Sequence, residues 1–214
     1  MNSGQEFHDK LQRPFYERDA RTVARELLGK YVVYQRAGKR LAGKIVETEA
    51  YLGVRDTASH ASRGRTRRTA VMFGAGGHLY VYFIYGLFWM MNVVTETEGS
   101  AGAVLLRALE PVEGVEEMRA NRGGKDGRLL ASGPARLTRA LGADGSLNGV
   151  DLCGDLIWIE DREESVKQSQ IVATKRVGVA YAGVWKDKKL RFYLAGSEFV
   201  SRPRLGLPAP KRRH

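Results

Sequence analysis

Lys44-Ile45-Val46-Glu47-Thr48-Glu49-Ala50-Tyr51-Leu52-Gly53 is the stretch on which the fold turns. Its period of two marks a β-strand, and alternation decides which side chains share a face. Val46, Thr48, Ala50 and Leu52 are expected on one side, with Ile45, Glu47, Glu49 and Tyr51 on the other. The first face suits an apolar core, whereas the second carries two carboxylates and an aromatic ring. Same-face neighbours stand about 6.5–7 Å apart, from a rise of about 3.3 Å per residue. Taken alone, such a face reads most simply as a solvated strand surface with a paired glutamate, because charged side chains are mostly exposed.

Working outward, Asp19 offers a helix N-cap, Val23, Leu27 and Leu28 follow at helical spacing, and Gly29 is the stop. Tyr31 to Gln35 reads as a strand, Ala37-Gly38-Lys39 as a turn and Leu41 to Tyr51 as the hairpin partner. Downstream, Leu79 to Tyr85 and Leu87 to Val94 are β-prone runs parted by Gly86, a hairpin with Tyr85 at its tip unless that ring packs into the core. Ala103 to Leu109 is a further strand whose alternation groups Arg107 with Leu105 and Leu109. An arginine on an apolar face needs a partner, and Glu47 and Glu49 are the candidates, as a functional pair or a purely structural one.

Val112 to Asn121 is predicted helical, as is Ala135 to Leu141 after Gly133-Pro134. Asp151 to Ile159, Ile171 to Tyr181 and Leu190 to Leu194 are predicted strands. Strands dominate, helices are scattered and no βαβ rhythm is present. The expectation is an α+β fold in a single domain over residues 19–201, with a mainly antiparallel curved sheet and a protruding β-hairpin. Residues 1–18 read as a flexible arm and 202–214 as a basic, disordered tail.

The chain has 214 residues, 43% of them hydrophobic, and a net charge of +11 from 35 Lys and Arg against 24 Asp and Glu. That excess favours a polyanionic partner, nucleic acid before anionic membrane. Arg63, Arg65, Arg67 and Arg68 put four guanidinium groups in six residues, either a solvated loop or a phosphate-gripping one. Cys153 is the only cysteine, which excludes an intramolecular disulfide and a cysteine-based zinc site. The four histidines have no metal-ligand spacing, so no metal and no cofactor are expected. Gly74-Ala75-Gly76-Gly77 fails as a nucleotide loop, because no Gly-Lys-Ser/Thr follows and Leu79 stands where a third glycine is needed. No apolar run reaches the roughly 18 residues of a membrane span, and Met1 to Tyr16 lacks the apolar core of a signal peptide. An intracellular protein is expected, in the cytoplasm or nucleoid, or in the nucleus of a eukaryote.

Val46 to Gly53, Asp56, His60, Leu79 to Gly86 with Asn92, Leu105 to Pro111 and Arg176-Val177-Gly178-Val179 together resemble the alkyladenine DNA glycosylase family, the mammalian-type 3-methyladenine DNA glycosylases. The resemblance runs from about Ala20 to Ser201. It implies a monomeric, monofunctional, metal-free enzyme that excises damaged purines from double-stranded DNA, such as 3-methyladenine, ethenoadenine or hypoxanthine, and leaves an abasic site. By position, Glu49 resembles the general base that activates water, and Arg107 and the backbone carbonyl of Val177 the groups that hold that water. Tyr51, His60 and Tyr82 match the walls of the flipped-base pocket, Tyr85 the side chain that fills the vacated stack, and Asn92 the residue that discourages guanine. Arg63, Arg65, Arg67 and Arg68 are then the expected phosphate contacts. Leu87-Phe88-Trp89-Met90 and the loop from Arg122 to Leu130 depart from vertebrate members.

The chemistry is coherent with these residue types. Extruding a base costs a few kcal/mol, and stacking on an aromatic, worth about 1–3 kcal/mol, offsets part of it. A carboxylate can stabilise oxocarbenium character at the sugar while taking a proton from water, and an adjacent arginine keeps it ionised. Bases alkylated at N3 or N7 leave already charged, whereas neutral lesions need an acid that the sequence does not name. Two other readings stand: a non-catalytic nucleic-acid binder, and a carbohydrate hydrolase using Glu47 and Glu49 as an acid and base pair at inverting separation.

Overall fold

The computed structural model describes residues 9–202. Along them run β1 (Asp9–Lys10), α1 (Arg13–Tyr16), α2 (Ala20–Glu26), β2 (Tyr31–Arg36), β3 (Lys39–Leu52), β4 (Leu79–Ile84), β5 (Phe88–Thr95), β6 (Gly102–Glu113), α3 (Val115–Asn121), α4 (Pro134–Leu141), β7 (Ile157–Asp161), β8 (Ile171–Thr174) and β9 (Arg191–Leu194). The strands form one sheet in the order β1-β7-β2-β3-β6-β5-β4, with β9 on β3 and β8 on β9. All of these pairs are antiparallel, as expected of an α+β domain without crossover units.

β3 is the centre of the sheet. β6 lies along one of its edges from Ala42 to Leu52, while β2 and then β9 share the other. The apolar positions of β2, β3, β5 and β6 close against α2 and α4 to make the main core. Asp19 caps α2 as its sequence suggests, accepting from the amides of Arg21 and Thr22 at 3.0 and 3.2 Å, a cap worth about 1 kcal/mol. Thr48 Oγ1 donates to the Ala24 carbonyl at 2.7 Å, pinning this helix over the middle of β3.

Strict alternation along β3 and β6 does not hold, and the departure shapes the site. Ile45 faces Leu109 and Thr48 faces Leu106, but Glu47 faces Ala108, so Val46 and Arg107 fall outside the ladder. Such a bulge turns consecutive residues to one side. Ile45 and Leu109 therefore join the main core with Leu41, Ala50 and Leu106. Val46 and Ala108 go to a separate cluster with Tyr193 and Val200. The groupings of Ile45 with Glu47, and of Leu109 with Arg107, are corrected accordingly.

Several expected bounds change as well. Of the flexible arm expected over residues 1–18, residues 1–8 lie outside the described residues, while along residues 9–18 β1 pairs with β7, Tyr16 is fully buried, and Arg13 Nη2 meets Asp151 Oδ2 at 2.5 Å. These short elements depend on partners more than a hundred residues away, which no local pattern announces. β6 continues through Pro111 to Glu113, so α3 starts only after Gly114, in the left-handed region at φ 66°. β7 begins at Ile157 rather than Asp151, because Asp151 caps a turn by accepting from the Cys153 amide. β8 ends at Thr174, short of the expected Tyr181. Beyond Arg202 the expected tail lies outside the described residues.

Candidate active site

Glu49 and Glu47 are both fully buried on the bulged half of β3, an arrangement that is costly unless each charge is matched. Glu49 Oε1 accepts from the Val177 amide at 2.7 Å and faces Arg107 Nη1 at 3.2 Å. Its Oε2 accepts from the Tyr51 hydroxyl at 2.9 Å. Burial, reinforced by Glu49, pushes the Tyr51 phenol well above its ordinary range, so it stays a neutral donor. Arg107 donates from Nε to Glu47 Oε1 at 2.7 Å. Burial alone would lower the Arg107 pKa, but Glu49 and Glu47 outweigh it and raise it. Both carboxylates proposed from sequence as partners of Arg107 thus meet it.

Tyr51, Arg107 and Val177 also line a cavity of about 430 Å³, with His60, Tyr82, Asn92 and Tyr85 among its other walls. The sequence candidates for a base pocket therefore converge on one space from β3, β4, β5 and two loops. His60 stacks edge-on to Tyr82 with ring centroids 4.5 Å apart and shares a 2.9 Å hydrogen bond with the Tyr80 hydroxyl. Burial, together with Arg68 and Arg63, lowers its pKa to about 4, so the ring is neutral at pH 7. Burial raises the Tyr82 hydroxyl pKa. Asn92 is buried and donates from Nδ2 to the Tyr80 carbonyl at 3.1 Å, which fixes the orientation of its amide. The cavity is aromatic in its walls and polar at its floor, the usual composition of a site that holds a flat heterocycle.

Residues 14–198 match the family model described as Methylpurine-DNA glycosylase (MPG). The chain belongs to the methylpurine-DNA glycosylase family. It is accordingly a DNA N-glycosylase, an enzyme of DNA repair that acts on alkylation damage. A protein of Carboxydothermus hydrogenoformans is 50% identical over 192 residues, covering 90% of this chain and 98% of its own. A Chlorobaculum tepidum protein is 44% identical over 205 residues, 95% and 96% of the two chains. One from Legionella pneumophila is 44% identical over 193 residues, 90% and 98%. Each carries the name "Putative 3-methyladenine DNA glycosylase".

Within this family member, the hairpin of β4 and β5 carries Tyr85 at its tip, 82% exposed. Ile84 pairs with Phe88 across a three-residue loop in which Tyr85 and Gly86 both have positive φ, 55° and 65°, the central pair of a type I′ turn closed by the Leu87 amide on the Ile84 carbonyl. The core-packing alternative for Tyr85 is corrected by that exposure. Arg63, Arg65, Arg67 and Arg68 are exposed, without a carboxylate partner among the described residues. Arg68 lies over the Tyr82 ring at 5.2 Å, so the cationic loop borders the cavity mouth. The hydrolase reading, with Glu47 as half of an acid and base pair, does not fit. Glu47 accepts from Arg107, Arg191 and Ser201, which occupy both of its oxygens, whereas Glu49 is the carboxylate bonded to Tyr51 and Val177 of the cavity wall.

Three residues to which the sequence reading gave no role support the site. Arg176 holds Asp56 with two bonds, 2.5 and 2.9 Å, and lies over the Tyr51 ring at 4.7 Å. Asp56 in turn accepts from the Leu52 and Ala58 amides, fixing the turn after β3 that carries the pocket wall. Arg191 donates from Nε to Glu47 Oε1 at 2.7 Å. The signal that singled out Arg107, an arginine inside an apolar strand, is equally present in Leu190-Arg191-Phe192. Among the described residues no helix is long and apolar enough to cross a membrane.

Proposed function

We propose that this glycosylase flips alkylated or deaminated purines, of the 3-methyladenine, ethenoadenine and hypoxanthine type, out of duplex DNA and hydrolyses their N-glycosidic bond. Water is the nucleophile, Glu49 its base, and the product an abasic site. The observation that carries this reading is the setting of Glu49: a buried carboxylate in contact with Tyr51, Arg107 and Val177, three residues that line the aromatic cavity.

A carboxylate offers about four acceptor sites. The Val177 amide and the Arg107 contact occupy Oε1, while the Tyr51 hydroxyl takes one site on Oε2. A water can therefore bond to the remaining lone pair of Oε2. The Glu49 carboxylate can take a proton from that water as positive charge develops on the sugar. The Val177 carbonyl, expected from the resemblance to help hold this water, belongs to the residue whose amide touches Glu49.

Tyr51, His60 and Tyr82 sandwich the flipped base, and neutral His60 offers a hydrogen bond rather than a charge. Asn92 crowds the exocyclic amino group of guanine. Tyr85 fills the gap left in the stack, and Arg63, Arg65, Arg67 and Arg68 take the phosphates alongside, with the enzyme acting as a monomer. The test is a gel assay for alkali-labile abasic sites on duplexes carrying 3-methyladenine, ethenoadenine or hypoxanthine. Cleavage at the lesion by wild type and none by Glu49→Gln supports the reading, whereas wild-type release by Glu49→Gln refutes it.

A further inference from the structure

Arg107 has one guanidinium and two carboxylates to serve, and it gives one nitrogen to each and the third to a serine. Nε donates to Glu47 Oε1 at 2.7 Å, Nη2 donates to Ser201 Oγ at 3.2 Å, and Nη1 faces Glu49 at 3.2 Å. Because a guanidinium is planar and rigid, holding Nε and Nη2 fixes where Nη1 points. Ser201 is engaged through every polar atom it has. Its amide donates to Glu47 Oε2 at 2.7 Å, its hydroxyl donates to Glu47 Oε1 at 2.8 Å, and its carbonyl accepts from Arg191 Nη2 at 2.9 Å. The Ser201 hydroxyl thus accepts from Arg107 while donating to Glu47, closing a ring of three side chains. All of these groups are buried, and the two glutamates balance Arg107 and Arg191 in charge.

We infer that Ser201 and Glu47 are positioning residues that aim the Arg107 guanidinium so that it presents a single nitrogen to Glu49. This rests on Glu49 being the base. The division of nitrogens matters because Arg–carboxylate pairs tend towards a bidentate fork. If Arg107 were freed from Ser201, Nη2 could also turn to Glu49 and occupy the Oε2 site that the water requires. Ser201 lines no part of the aromatic cavity, facing instead a neighbouring hollow on the other side of Arg107, and it acts through Arg107.

The test is single-turnover release of ethenoadenine from a duplex, alongside binding to a duplex carrying an abasic-site analogue. Ser201→Ala should slow release about 5- to 20-fold and change binding less than 2-fold. Ser201→Thr, which keeps the hydroxyl, should return to within about 2-fold of wild type. In a Glu49→Gln background, Ser201→Ala should give no further loss, because its effect passes through Glu49. Tight binding to the analogue reports that each variant is folded, and rates are normalised to that active fraction. Unchanged release in Ser201→Ala overturns the inference. So does an equal loss in Ala and Thr variants, or a loss that adds to that of Glu49→Gln, since either marks a merely structural serine. Wild-type release by Glu49→Gln alone instead overturns the assignment of the base, a distinct result.

Discussion

At the scale of single residues, Glu49 and His60 give opposite kinds of prediction. Glu49→Gln keeps the shape of the site but loses the base, so single-turnover release is expected to fall about 10²- to 10⁴-fold, the usual range for such a group. Binding to damaged duplex should persist. Asn92→Ser removes bulk and an amide from the cavity wall, and guanine excision is expected to rise relative to that of alkylated adenine in a competition assay. For His60, burial holds the folded pKa near 4 against an ordinary 6.5. Between those values the unfolded chain binds the proton more readily, so stability falls as pH drops from about 6.5 to about 4 and then levels off. At 1.36 kcal/mol per pKa unit the limit is about 3 kcal/mol, reduced to about half by water in the cavity. Thermal melts across that interval should show the loss in wild type and a smaller one in His60→Gln; equal losses would refute it.

At the scale of elements, the hairpin of β4 and β5 sets stability against function. Asn-Gly or Gly-Gly suits a type I′ turn, yet Tyr85 occupies its first position at φ 55°, a conformation that costs a side-chain-bearing residue about 1 kcal/mol. Tyr85→Gly is therefore expected to raise the melting temperature by a few degrees while weakening base flipping, read from the fluorescence of a reporter base. Tyr85→Ser should weaken flipping equally without that gain. Flipping unchanged in both would remove the wedge role. This hairpin was legible in the sequence because two β-prone runs flank a glycine, as was the α2 cap at Asp19. The bulge was not. Alternation assigns faces by parity, and nothing local in Ile45-Val46-Glu47 or Arg107-Ala108-Leu109 states that the register shifts there, where β9 also joins β3 from residue 47 on. Glu49 and Tyr51 kept their face because they lie past the shift. Val177 escapes a strand reading for a related reason: the chain leaves β8 at Thr174, which brings its amide to Glu49.

For the whole molecule, a net charge of +11 favours DNA generally, but the loop from Arg63 to Arg68 concentrates four exposed cations, with Arg68 over Tyr82 of the cavity wall. Replacing all four with Gln should reduce the slope of log affinity against log salt by about 0.9 for each phosphate that the loop no longer neutralises. Affinity should drop by the same factor for damaged and undamaged duplex, since phosphates carry no sequence information. A slope that does not change would place the backbone-binding cations elsewhere. The ring that holds Arg107 has a temporal meaning too. Glu47 and Glu49 emerge early in synthesis, Arg107 about midway, and Ser201 only after nearly two hundred residues have been made. Until then Glu47 lacks the amide and hydroxyl of Ser201 and Arg107 lacks its third partner, so the buried charges of β3 and β6 are fully matched only when the chain after β9 docks.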